Sequence, residues 1–368
     1  MRAETLRAAG ADQRLQVFGS AAGLPENQPP RHLAIGINQA LHDLLIKYPQ
    51  SLLFGEDVAQ KGGVYTVTKG LWAKFKGARV FNTLLDETTI LGLAQGFANL
   101  GMLPLPEIQY LAYFHNACDQ IRGEACSLQF FSNGQYRNPM VLRMAALGYQ
   151  KGFGGHFHND NSITALRDIP GLIVACPSRS DDAAMILRTL MALAHVDGRV
   201  CAFLEPIALY MTKDLYAAGD GLWQTRYPSF DETIALGEPR IYEPAATDLL
   251  IVSYGNTVPM CLRVARQLSM ERGIKARVMD LRWLQPLNDA EIARHGRDCA
   301  RILVVDEGRK SAGIAEGVIT ALVEGGCGPK PIARVVGVDT YTPLAGAATL
   351  VLPSDESIKA GAEALLAV

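Results

Sequence analysis

Apolar runs of strand length alternate with helical segments along most of this chain, and that alternation limits its fold more than any other feature. Ser51-Leu52-Leu53-Phe54 is one such run, and others lie near 103–109, 139–146, 172–177 and 200–205. Before the first run, Ile35, Ala40, Leu41, Leu44 and Leu45 carry the spacing of an amphipathic helix. A second helix is expected at 90–100, and Ala117, Ile121 and Ala125 share one face of a third. Ser180-Asp181-Asp182 reads as a helix start, a capping hydroxyl followed by acids at the positive end of the dipole, with the helix running to about His195. Strands separated by helices join as parallel neighbours, because a parallel pair needs a long crossover.

The pattern then pauses and begins again. Residues 207–245 read as irregular and interdomain, with Gly219-Asp220-Gly221, Pro228, Gly237 and Pro239. A strand over 248–255, a helix over 257–272 and strands at 275–281, 301–306 and 332–337 follow. Ser354 opens a last helix to about Leu366. The expected division is an arm or tether over 1–31, one α/β domain over 32–230 and another over 231–368. A length of 368 residues fits this, at about 150 residues per domain.

Charge removes several function classes. Thirty-five basic and 37 acidic residues leave a net charge of -2, with no basic block to attract nucleic acid or an anionic membrane. The charge-free stretch Thr88 to Pro106 contains Gln, Asn, Gly and Pro, and reads as buried core rather than a membrane span. Seven scattered cysteines, never spaced CxxC, argue against a disulfide framework and against structural zinc. Met1 to Leu6 shows no apolar signal core, so the expected location is the cytoplasm.

Two patches could carry chemistry. In Gly152-Phe153-Gly154-Gly155-His156-Phe157-His158-Asn159-Asp160-Asn161-Ser162, glycines allow close backbone approach to a ligand. Its two histidines point the same way if the chain is extended, which suits metal ligation. A structural loop and a histidine poised for proton transfer are the other readings. In Phe81-Asn82-Thr83-Leu84-Leu85-Asp86-Glu87-Thr88-Thr89, a strand end leads through two acids into an apolar helix. The acids either cap that helix or hold a ligand where open α/β sheets bind them. No Walker loop, GxSxG elbow, HExxH or strand-following GxGxxG is present.

Together these segments resemble a known family. Phe54-Gly55-Glu56-Asp57-Val58-Ala59 and Gly62-Gly63-Val64-Tyr65 look like the start of the β subunit of the decarboxylating first component of 2-oxo acid dehydrogenase complexes. Agreement continues through Glu87, Pro106-Glu107-Ile108-Gln109-Tyr110, Asp119-Gln120-Ile121, the His158 loop, Pro170-Gly171-Leu172 and Phe203-Leu204-Glu205-Pro206. It resumes at Tyr254-Gly255, Asp280-Leu281-Arg282 and Gly337-Val338-Asp339-Thr340. Segments around Asn82 and Lys151 look closest to the β-like portion of fused single-chain members.

The resemblance implies two three-layer αβα domains with mostly parallel sheets. The first would be a transketolase-like pyrimidine-binding fold and the second a transketolase C-terminal-like domain. It implies thiamine diphosphate as cofactor, oxidative decarboxylation of a 2-oxo acid, and acyl transfer to lipoamide. Glu87 matches the glutamate that hydrogen-bonds N1′ of the cofactor's aminopyrimidine, and burial against Leu85 and the bound pyrimidine is expected to oppose the acidifying pull of the helix start. Leu85, Gln109 and Tyr113 match the other pyrimidine contacts, Tyr113 as the stacking ring. His158 matches the histidine associated with acyl transfer, with His156 adjacent. No residue here is expected to be a metal ligand.

Gly219-Asp220-Gly221 mimics the opening of the diphosphate motif, but no strand precedes it and no suitably spaced Asn follows, so it reads as a linker turn. In the family the diphosphate and magnesium meet an α-like domain bearing that motif, so the resemblance implies a partner α chain that holds them. An α2β2 particle, self-association of β chains and a lipoyl acyltransferase partner are implied in turn. Two departures bear on lipoamide handling and substrate choice: Leu84 stands where the family has Pro, and Asn159-Asp160 stand where it has Ser-Gln. Two other readings compete. One is the pyrimidine-binding half of a split transketolase-like enzyme, separated by its use of sugar phosphates. The other is a non-catalytic scaffold subunit, separated by failure to bind cofactor.

Overall fold

The structure, a computed structural model, describes residues 2–150, 155–230 and 232–367. Lys151-Gly152-Phe153-Gly154, the front of the glycine–histidine run, lies outside the described residues. The chain divides into two compact units. The first comprises Met1–Ala145, Ala165–Glu205 and Leu209–Ala235; the second comprises Ala146–Thr164, Pro206–Ala208 and Leu236–Val368.

In the first unit six strands stand in the order β5–β6–β4–β3–β1–β2. They are β1 (Ser51–Gly55), β2 (Val80–Asn82), β3 (Leu103–Ile108), β4 (Met140–Ala146), β5 (Ile173–Ala175) and β6 (Val200–Pro206). The pairs β1–β2, β1–β3, β3–β4 and β5–β6 are parallel. Every residue of β1, β4, β5 and β6 is buried, as expected of parallel strands covered on both faces. The helix Leu33–Lys47 buries Leu33, Ile37, Leu41, Leu44 and Leu45 at helical spacing and packs on the helix Ser180–Asp197.

The second unit is built on a five-stranded sheet in the spatial order Ile332–Gly337, Arg301–Arg309, Leu249–Ser253, Ala276–Asp280 and Arg240–Tyr242. Only the last, an edge strand, pairs antiparallel. The helix Thr257–Arg272 follows the expected boundaries. Ser354 caps the helix Asp355–Leu366 through a reciprocal bond with Ser357. Both sheets are thus mostly parallel α/β sheets, as the alternation predicts. Among the described residues no helix is long and apolar enough to cross a membrane.

Three local expectations are corrected. Ala117, Ile121 and Ala125 are all buried, but on a 3-10 turn (Leu111–Ala117) and a π-helical segment (Gln120–Ala125), not on one regular helix. The helix at Ser180 is not capped by that hydroxyl; its cap position is Arg179, and Thr225 Oγ1 accepts the Asp181 N–H at 2.8 Å. Ser180 is instead buried where Gly36 leaves room for it. Within 207–245, residues 209–235 belong to the first unit, anchored by the buried rings of Trp223 and Tyr227. A few large side chains hold an irregular backbone that has no periodicity to read.

The expected tether is also ordered. Helices Arg2–Leu6 and Ala11–Phe18 and two 3-10 turns occupy residues 2–27. Arg14 is buried, its Nε 2.7 Å from Asp43 Oδ1 and its two Nη atoms each 2.8 Å from Glu26. Tyr227 donates to the same Asp43 carboxylate at 2.8 Å. Burial pushes Asp43 up against the pull of Arg14, whereas the guanidinium holds the more exposed Glu26 down. The docking rests on one long cation, so hydrophobic spacing carries no trace of it. Arg14→Ala is expected to cost about 3 kcal/mol in urea unfolding, because Asp43 is left buried and unpaired while Glu26 stays hydrated.

Candidate functional site

The carboxyl ends of β1, β3 and β4 converge with the start of the helix Glu87–Asn99. Gly55, the last residue of β1, has φ 154° and faces Glu107 of β3; a Cβ there would stand 2.5 Å from the Glu107 carbonyl oxygen. Glycine is required for the strand to leave the sheet so close to that residue.

Asp86 caps the helix, its carboxylate accepting the Thr89 N–H at 3.2 Å and the Thr89 hydroxyl as well. This frees Glu87, the first helical residue, from the capping role. Glu87 is 6% exposed and accepts from Asn116 Nδ2 at 3.2 Å. Glu56 faces it: burial raises the Glu56 carboxyl, and the charges of Glu87 and Asp57 raise it further. Tyr113 is within the field of the same two glutamates and meets Tyr110 edge-on, with ring centroids 5.7 Å apart. Gln109, directly after β3, lines a cleft with Tyr65, Glu107, Arg143 and Tyr210. Leu84 and Leu85 are 77% and 78% exposed. Leu85 therefore does not bury Glu87 in this chain; the carboxyl is covered by its own helix start and by Asn116.

Beneath the cleft lies a group that sequence reasoning missed. Arg143, 1% exposed, sits 2.6 Å from Glu107 Oε2 and 2.7 Å from Glu205 Oε1. Tyr210 donates to Glu205 Oε2 at 2.7 Å. Burial pushes Glu107 up to about 7, Arg143 opposing and Glu205 adding to the rise. A signal was available. Glu107, Arg143 and Glu205 are lone charges inside three apolar strand runs, Leu105–Ile108, Val141–Met144 and Phe203–Pro206. A charge in a strand buried on both faces needs a partner.

The histidines belong to the second unit, on the short helix Gly155–His158. Helical residues two apart point in different directions, so the extended geometry that suited metal ligation is not present. The His156 ring lies 4.1 Å from Phe157 and 5.1 Å from Tyr341, centroid to centroid. His158 is half-buried. The departures Asn159 and Asp160 are buried and structural: Asn159 Oδ1 accepts the Gln150 N–H at 2.8 Å, and Ser162 donates to Asp160 at 2.6 Å. Among the described residues no group of His, Cys, Asp and Glu is arranged to hold a metal.

The Gly219-Asp220-Gly221 turn is closed on itself. Asp220 accepts the N–H groups of Leu215, Tyr216, Ala217 and Leu222 at 2.7–3.0 Å, which holds its carboxyl well below the usual range. Asp214 accepts those of Gly219 and Gly221, each at 2.8 Å. Its acidic oxygens are committed to backbone.

Comparison with known proteins agrees with this architecture. Residues 32–213 match the model of the transketolase pyrimidine binding domain, and residues 239–358 match that of the transketolase C-terminal domain. The pyruvate dehydrogenase E1 component subunit beta of Bacillus subtilis strain 168 is 31% identical over 329 residues, covering 88% of this chain and 94% of the relative. This chain belongs to the pyruvate dehydrogenase E1 β-subunit family. A Staphylococcus epidermidis E1 β subunit is 32% identical over 337 residues, covering 90% of this E1 β-type chain and 97% of the relative. A solved structure described as a split gene transketolase, inactive beta4 tetramer, matches with TM-score 0.72 over 92% of this chain and 99% of its own. At 17% identity that likeness carries the fold of the E1 β-type chain alone.

Proposed function

We infer that this chain is the β subunit of a thiamine diphosphate-dependent 2-oxo acid dehydrogenase, working in the cytoplasm in the oxidative decarboxylation of a 2-oxo acid. The observation that carries this reading is Glu87, a nearly buried carboxyl at a helix start, beside Tyr113 and next to the strand ends. A carboxyl beside an aromatic ring, with the Gln109 amide at the end of the neighbouring strand, suits a flat heteroaromatic ring with a hydrogen-bonding edge. The aminopyrimidine of thiamine diphosphate is such a ring. When bound, the cofactor supplies the carbon nucleophile and electron sink for decarboxylation.

The residues of this chain do the following work in that reading. Glu87 holds a proton at the ring nitrogen N1′. Asn116, bonded to one of its oxygens, fixes the carboxyl plane. Tyr113 offers its face, and Gln109 and Leu85 border the ring. Arg143 and its two glutamates make a rigid floor. His158, with His156 beside it, serves acyl transfer to lipoamide carried by a lipoyl acyltransferase.

A partner α chain holds the diphosphate and magnesium, in an α2β2 assembly with contacts between β chains. Two facts support the shared site. The acids of the GDG turn are spent on their own backbone. Leu84 and Leu85, next to Glu87, are apolar and exposed, as a surface awaiting a second chain would be. Calorimetry with thiamine diphosphate and magnesium tests this. Binding is expected to be weak for this chain alone and at least about tenfold tighter with the α chain, a gain of about 1.4 kcal/mol. Equally tight binding by the isolated chain would overturn the shared site.

A further inference from the structure

The second unit contains a buried acid that the reading above leaves without work. Glu307, in the strand Arg301–Arg309, is fully buried. Its carboxyl meets neutral partners: Asn256 Nδ2 at 3.0 and 3.4 Å, and the backbone N–H of Gly148. Asn256 Nδ2 also reaches the Gly148 carbonyl at 3.1 Å. The Glu307 backbone carbonyl accepts from Asn161 Nδ2 at 2.5 Å. One residue thus grips the chain on both sides of the helix Gly155–His158, at Gly148 before it and at Asn161 after it.

The backbone at this grip is in a conformation it would not keep unaided. Leu147 and Tyr149 have φ values of 75° and 67°, in the left-handed region that disfavours both residue types. Such residues persist only where the surroundings hold them. Leu147 N–H bonds to the Asp160 carbonyl at 3.1 Å, joining the two flanks. Tyr149 donates to the Pro353 carbonyl at 3.0 Å. Beyond the helix, Arg309 lies 3.6 Å from Asp160, and Thr164 donates to the Ala312 carbonyl at 2.6 Å. Gly155, with φ 47°, has Leu344 3.0 Å from the place of a Cβ.

We propose that Glu307 is a positioning residue, which with Asn256 fixes the two flanks of the histidine-bearing helix Gly155–His158 and so sets the place of His158. This rests on the reading of His158 given above. Burial, with Asp306 adding to it, pushes the Glu307 carboxyl up to about 8, so near neutral pH it acts mostly as an uncharged acid that shares hydrogen bonds. Glutamine has the same shape and no charge. It therefore substitutes for the side-chain grip at Asn256 and Gly148, which alanine removes, while the backbone carbonyl that holds Asn161 stays in both variants.

The test uses the chain assembled with its α partner. Hydrogen exchange is followed over 155–164, with the core strand Leu249–Ser253 as internal control. In Glu307→Ala, exchange over 155–164 is expected to rise about tenfold or more with the control unchanged, and in Glu307→Gln it is expected to stay near wild type. Lipoamide-dependent turnover in the alanine variant is expected to fall about tenfold, while decarboxylation read with an artificial electron acceptor changes less than about twofold. If Glu307→Ala fails to fold, Asn256→Ala removes the amide that joins the Glu307 carboxyl to the Gly148 carbonyl, and it is expected to give the same pattern. Unchanged exchange over 155–164 in a folded variant overturns the proposal, whatever the activity. His158→Ala, run in the same two assays, separates this from the reading beneath it. Lipoamide transfer that survives His158→Ala removes the role of the histidine and leaves the exchange result to decide Glu307.

Discussion

Glu87→Gln is expected to lower decarboxylation by about 10²–10⁴-fold in the assembled enzyme, the range for losing a positioned proton-transfer group. The structure supports a specific loss. Glu87 stands at the first helical position, but Asp86 performs the capping. Helix stability therefore depends little on Glu87, and the variant should unfold near the wild-type midpoint. Its oxygen is held by Asn116, so glutamine keeps shape and local bonds while losing the ability to share a proton. The measurement is kcat with an artificial electron acceptor across pH, beside cofactor affinity by calorimetry. A fall in kcat with a modest change in affinity supports the role. An unchanged rate together with an unchanged pH–rate profile would sink it.

Arg143→Met should show the largest stability effect in the first unit, about 3–5 kcal/mol at pH 8. Removing the guanidinium leaves Glu107 and Glu205 buried at the strand ends without their shared cation. The cost should shrink at pH 5, because the Glu107 carboxyl, raised to about 7, is then protonated and needs no cation. The sign in the wild-type protein follows the same logic. A carboxyl whose folded value lies above its unfolded one contributes stability below about pH 4 that is progressively lost as pH rises through about 7. Urea unfolding of wild type, Arg143→Met and Arg143→Met with Glu107→Gln at both pH values checks the account. The double variant should recover part of the loss at pH 8. A loss equal at pH 5 and pH 8 would assign the effect to packing.

The exposed leucines before Glu87 bear on the proposed assembly. Leu84 and Leu85 stand in solvent beside a carboxyl that is nearly buried, so the site is finished on one side and open on the other. This arrangement is what the proposed shared site requires, with an α chain covering the leucines beside Glu87.

Much of the architecture was legible because it is local. Strands of a parallel sheet read as mostly apolar runs, so the alternation over β1 to β6 and again from Leu249 to Gly337 is visible residue by residue. Capping is local too, and Ser354 and the acidic start at Asp86-Glu87 could be found from their neighbours. The cap of the helix Ser180–Asp197 could not, since Thr225 supplies it from far along the chain. The same holds for the docking of residues 2–27 through Arg14 and Asp43, for Arg143 between Glu107 and Glu205, and for Glu307 with Asn256 and Gly148. Each joins side chains that sequence distance separates and that no periodicity links. Hydrophobic spacing records which face of an element is buried. It carries no record of which buried charge meets which, because that depends on strand order, and strand order is decided only when the chain has packed.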